Sequence, residues 1–331
     1  MSKGFENFVL ALTLVALAAC DGQRDGPTTA AEQASAEPAV EAVTAPDVSH
    51  PPPSWQEAAN MAYFGIFDEA VVLANGAWEG EPYVEGGASA PRAGLVDDFL
   101  LAGDLDGDAA DESVVLAWSS GGGSGTFDYV AVLDRDREGV AFNRATAALG
   151  DRVKVRSATI RDGRVIFETV QTGAQDAACC PGQKMRRSFA LEGDAMTETS
   201  TEDLGRLSLA DVPGEWKLVA FGAGEAVPPE VEITVQFSGD TIAGKAACNR
   251  YTGRVLAGDA PGDLTLSGPL AVTRMMCPPA LMEWEQSYVR ALEGLVKYSF
   301  QAGKLLLSWR GEDDAGSMMF ARVDEAEATA E

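Results

Sequence analysis

Residues 231–253 read VEITVQFSGDTIAGKAACNRYTG. Val231, Ile233, Val235 and Phe237 alternate with Glu232, Thr234 and Gln236. Successive strand side chains point to opposite faces, so this alternation predicts a strand with one face toward a core. Ser238-Gly239-Asp240 is a turn. Gly214-Glu215-Trp216-Lys217-Leu218 opens an earlier strand, and Thr273-Arg274-Met275-Met276-Cys277-Pro278 leads into a helix from Pro279 to about Val296. Within it Leu281, Trp284, Tyr288, Leu292 and Leu295 recur at helical spacing, while Glu283, Glu285, Arg290 and Glu293 are expected to face outward. The prolines at its start suit the first turn, where a missing N–H costs little. Tyr298–Phe300 and Leu305–Trp309, around Gly303-Lys304, read as a hairpin, and Met318–Val323 as a last strand.

GKAACNRYTG, TRMMCPP and the amphipathic helix, in that order, resemble the META domain, the HslJ-like family, over about residues 209–323. The resemblance implies a compact, mainly antiparallel β domain with one packed helix. It also implies exported or lipid-anchored bacterial proteins linked to stress and antibiotic tolerance, without an established enzymatic activity. The family residues matched are Cys248, Asn249, Gly253, Thr273, Arg274 and Cys277. Asn249 and Gly253 suit turn or bulge geometry. Cys248 and Cys277 either close a disulfide loop, worth about 3–4 kcal/mol by loop entropy, or stay as two buried thiols. Met275-Met276 read as core fillers.

The region from 54 to 205 predicts a second β-rich domain, so the expected fold class is mainly β (α+β). Trp55 to Phe67 opens with a short helix. Strand-like runs follow at Glu112–Asp134, Arg152–Arg161, Arg164–Thr172 and Met185–Glu192. Asp162-Gly163 is a two-residue hairpin signal. Gly121–Gly125 is a loop between strands, and no helix follows it to make a phosphate cradle. As a combination, GDLDGDAADE, GGGSGTFDYVAV, LGDRVKV and DAACCP resemble an uncharacterised region of exported bacterial proteins.

The sharpest chemistry lies in Asp104-Leu105-Asp106-Gly107-Asp108-Ala109-Ala110-Asp111-Glu112. Carboxylates at alternate positions of a tight loop can wrap calcium, which prefers six to eight oxygens. The pattern resembles the calcium loops of integrin-type repeats, with Ser113–Trp118 as the strand that follows. On that resemblance Asp104, Asp106, Asp108 and either Asp111 or Glu112 are the side-chain ligands, joined by the Ala110 carbonyl. Ala109 stands where such loops carry glycine, which strains a left-handed turn. The plain alternative is an acidic turn whose carboxylates stay solvated. Calcium is the one cofactor in view.

Residues 1–20 form an export signal: Phe8 to Ala19 is an apolar run too short for a membrane-spanning helix. Leu17-Ala18-Ala19-Cys20 resembles a lipobox, which implies lipidation of Cys20 and a membrane as partner. Residues 21–53 are an acidic Pro/Ala-rich tether, whose composition predicts disorder, and 324–331 an acidic tail. Cys179 and Cys180 are expected to be oxidised after export, with each other or with more distant cysteines. A thiol redox site at this pair is the surviving enzyme-like alternative. The 331-residue chain carries a formal charge of −26 and a single histidine. The charge disfavours a nucleic-acid partner, and His50, in a proline-rich segment, removes most histidine-dependent mechanisms. The expectation is a lipid-anchored, non-enzymatic envelope protein, in stress or antibiotic tolerance, that binds an envelope protein or a small ligand. Calcium-dependent binding through residues 104–112 is the alternative.

Overall fold

The computed structural model describes residues 50–177 and 180–323. The signal, Cys20, the tether up to residue 49, Cys179 and the tail lie outside them. Strands dominate. Helix α1 (Trp55–Ala58) is followed by β1 (Ala62–Tyr63), β2 (Val71–Val72), β3 (Ala77–Glu79), β4 (Arg92–Gly103), β5 (Glu112–Ser120), β6 (Phe127–Arg135) and β7 (Ala141–Asp151). Then come β8 (Lys154–Arg161), β9 (Arg164–Gln171), β10 (Gln183–Glu192) and β11 (Ala195–Arg206). Beyond a short 3-10 turn, Leu209–Asp211, lie β12 (Glu215–Gly222), β13 (Glu225–Ala226), β14 (Thr234–Ser238), β15 (Thr241–Ala246), β16 (Asn249–Ala257), β17 (Leu264–Leu266) and β18 (Ala271–Val272). Helix α2 (Pro279–Glu293), β19 (Leu295–Gln301), β20 (Lys304–Arg310) and β21 (Ala315–Arg322) complete the chain.

β3 to β7 form an antiparallel five-stranded meander and β8 to β11 a four-stranded one. β5 is buried on both faces. Val114 and Leu116 enter a core with Phe167, Phe189 and Leu149, between the two meanders. Val115 and Ala117 enter a second core with Tyr63, Ile66 and Leu73, from the segment that covers the other face. That is why β5 reads as an unbroken apolar run rather than an alternation. The Asp162-Gly163 signal holds: both residues have positive φ, 51° and 67°, in the hairpin between β8 and β9.

β1 and β2 pair with each other, and β12 to β21 form one sheet, ordered β17-β16-β15-β14-β12-β21-β20-β19, with β13 paired to β12 and β18 to β16. Its ends meet: Asp263 bridges Lys297, and Tyr298 N–H donates to the Gly262 carbonyl at 2.8 Å. The sheet thus curls into a near-barrel around Trp216, Ile233, Val235, Leu305 and Phe320. α2 lays Tyr288, Ala291 and Leu292 on that core. The β19–β20 turn reaches the first meanders, where Gly303 N–H donates to the Val155 carbonyl at 3.1 Å. Among the described residues no helix is long and apolar enough to cross a membrane.

The first expected helix is short, as its sequence suggests, and the second ends before its pattern does. The first stops at Ala58, after a capping box in which Ser54 and Glu57 satisfy each other's backbone N–H. The second ends at Glu293, with Gly294 as its C-cap.

Candidate functional site

Asn249 is the centre of the larger polar cluster. The β15–β16 hairpin turns through Ala247, at φ 62°, which buries Cys248 and starts β16 at Asn249. Cys248 is bonded to Cys277 with Cα atoms 5.9 Å apart, so the two-thiol alternative does not hold. The Asn249 carboxamide oxygen accepts from Thr273 Oγ1 at 2.8 Å and from Met275 N–H at 2.7 Å. Its Nδ2 donates to the Met275 carbonyl at 3.2 Å and to Glu285 Oε1 at 3.1 Å. Glu285 Oε2 accepts the Asn249 backbone N–H at 2.7 Å. One side chain therefore ties β16, the 273–277 loop and α2 together.

Three expectations change here. Glu285 does not face outward; it is 9 % exposed and holds Asn249. Asn249 is no turn residue, and neither is Gly253, which sits within β16 where an added Cβ would meet Leu270 Cδ2 at 2.5 Å. Met275 and Met276 do not fill the core: they are 58 % and 96 % exposed. The disulfide on one side and Asn249 on the other hold the loop backbone, so Arg274, Met275 and Met276 are displayed outward. Beneath, Tyr251 Oη meets Tyr288 Oη at 2.7 Å and donates to the Thr234 carbonyl at 3.0 Å. Burial holds both phenols above their usual range, so they stay neutral.

The acidic loop is the second cluster. Carboxylate oxygens of Asp104, Asp106 and Asp108 lie within 4.8 Å of one another. Asp104 accepts the N–H groups of Gly107 and Ala109 at 2.6 and 3.1 Å, Asp106 that of Asp108, and Asp108 that of Ala110. Ala109 does take the left-handed conformation, at φ 71°. Asp111 and Glu112 do not join the converging group. Glu112 is 1 % exposed and accepts the Leu105 N–H at 2.8 Å. The Arg144 guanidinium faces the loop, 2.8 Å from Asp106, 3.1 Å from Asp134 and 3.6 Å from Glu112. Burial, reinforced by the nearby charges of Asp106 and Asp134, pushes the Glu112 carboxyl up to about 7 against the pull of Leu105 N–H and Arg144.

The remaining sites are dispersed. Cys180 Sγ lies 3.7 Å from Lys297 Nζ, in a loop that Asp176 holds by accepting Gly173 and Gly182 N–H at 2.8 and 2.9 Å. Cys179, one of the partners left open for Cys180, lies outside the described residues, as does Cys20. His50 is exposed and lies against Gly139. Next to it, Arg135 donates to the Pro51 carbonyl at 2.6 Å and pairs with Glu57 at 2.8 Å, holding residues 51–57 against β6.

Residues 208–324 match the family model of the META domain. A crystal structure of a DUF4847 family protein from Bacteroides vulgatus is similar at 16 % identity and a TM-score of 0.25, covering 33 % of this chain and 92 % of that one. No curated protein matches the chain.

Proposed function

With residues 208–324 as a META domain, we propose that the chain is a non-enzymatic binding protein of the bacterial envelope. It is held to a membrane by acyl chains on Cys20 and acts in stress or antibiotic tolerance. Its two β-rich regions, 54–205 and 209–323, stand on the tether 21–53. One observation supports the binding role above the others: the motif's polar groups are spent on each other. Asn249, Thr273, Glu285 and the disulfide hold a loop, and the loop presents Arg274, Met275 and Met276. Flexible, polarizable methionines suit adaptable contact surfaces. The test replaces Met276 with a photo-crosslinking residue in the full chain, exported in cells. A discrete adduct, lost when Arg274→Ser and Met275→Ser are added without a change in melting temperature, is the expected result. No adduct, or one indifferent to those changes, contradicts it.

The convergence of Asp104, Asp106 and Asp108 favours a second reading, calcium binding at the loop. Arg144 already supplies one positive charge there, so a bound cation has to compete with it. Melting the full chain with millimolar calcium and with chelator decides. A ligand at about 100 times its Kd adds about 2.7 kcal/mol, whereas an unchanged midpoint removes this reading.

A further inference from the structure

A cavity of about 210 Å³ opens where the five-stranded meander, β8 and the end of β19 meet. Leu116 and Trp118 come from β5, Asp128 from β6, Lys154 and Val155 from β8, and Phe300 from β19. The charged groups among its lining are one acid and one base, Asp128 and Lys154. Asp128 accepts the Val153 N–H through Oδ2 at 2.7 Å. Among the described residues this is the one hydrogen bond to the carboxylate, and the Lys154 ammonium makes neither a hydrogen bond nor an ion pair. The two opposite charges thus share one cavity without touching.

Charged groups in low-dielectric surroundings are costly unless paired. Both line a space whose other walls are an indole, a phenyl ring, aliphatic side chains and the polar Thr126 and Gln301, and each keeps unused bonding capacity. Drug-sized ligands occupy about 300–1,000 Å³, so this cavity suits a smaller molecule. We propose that it binds a small zwitterion, a free α-amino acid with an apolar side chain. The ligand ammonium sits at Asp128, its carboxylate at Lys154, and its side chain against Trp118 and Phe300. Burial raises the Asp128 carboxyl to about 6, against the pull of the Val153 N–H and of Lys154; a cation beside it favours the charged form. The site is distinct from the 273–277 loop and stands or falls independently of the proposed binding role.

Calorimetric titration of the full chain with L-leucine and L-phenylalanine, alongside phenethylamine and 3-phenylpropionate, tests the proposal. One amino acid is expected to bind at a single site, and each analogue lacking one charge to bind about tenfold more weakly or worse. Asp128→Asn and Lys154→Met are each expected to cause a similar loss. Lys154→Met carries the test if Asp128→Asn does not fold. Absence of binding by both amino acids at millimolar concentration overturns the proposal. So does affinity that survives the substitutions, or equal affinity for a singly charged analogue.

Discussion

Asn249 and Glu112 show how much a single buried polar side chain can decide. Asn249→Ala removes the acceptor of Thr273 and Met275 and the donor to Glu285, and leaves Glu285 under-satisfied in a nearly dry site. Urea unfolding is expected to show a loss of about 3 kcal/mol, the range for breaking a buried hydrogen-bonded network. Glu112 acts through pH. Its carboxyl titrates near 4.5 when unfolded and at about 7 when folded. Between those values the folded state holds more protons, so stability falls as pH rises and the loss is complete above about 7. The span corresponds to up to about 3 kcal/mol. Glu112→Gln, neutral throughout, is expected to flatten that fall in unfolding curves taken from pH 5 to 8. An unchanged slope contradicts the burial argument. Glu285 was legible by position, four residues after Leu281 and three before Tyr288, and so on the apolar stripe. Its charge led to the opposite assignment, because buried carboxylates are rare without a partner, and the partner lies 36 residues earlier.

Among the elements, legibility followed burial. β14 sits on the near-barrel's wall and alternates from Val235 to Ser238, with Thr234 buried against the expected pattern, and the doubly buried β5 and β6 appear as apolar runs. β11 escaped the sequence reading because it is an edge strand with Met196 as its one buried residue, so AMTETSTEDLGR carries no core-facing period. β4 and β7 are interrupted by register shifts, which break a two-residue period. The two motif glycines should respond differently to a methyl group. In Gly244→Ala the new Cβ would lie against the Thr234 carbonyl oxygen, a backbone atom that cannot swing away. In Gly253→Ala it would meet the end of the Leu270 side chain, which can. Thermal melting is expected to show the Gly244 variant as the more damaged by at least about 1–3 kcal/mol, the usual cost of overpacking. Equal effects contradict the backbone contact.

For the whole molecule, the disulfide and the Asn249 network act on one loop from two directions. The bridge spans 29 residues, and loop entropy gives it about 3–4 kcal/mol. Cys248→Ser with Cys277→Ser is expected to lower stability by that order in denaturant unfolding, while Asn249 still holds the Met275 backbone. The motif residues immobilise a displayed loop instead of performing chemistry. Amide hydrogen exchange at Met275 tests it most directly. The residue is exposed, yet its N–H is bonded to the buried Asn249. Slow exchange is expected in the full chain, accelerated toward the free-peptide rate in Asn249→Ala. Free-peptide exchange in the unsubstituted protein would contradict it.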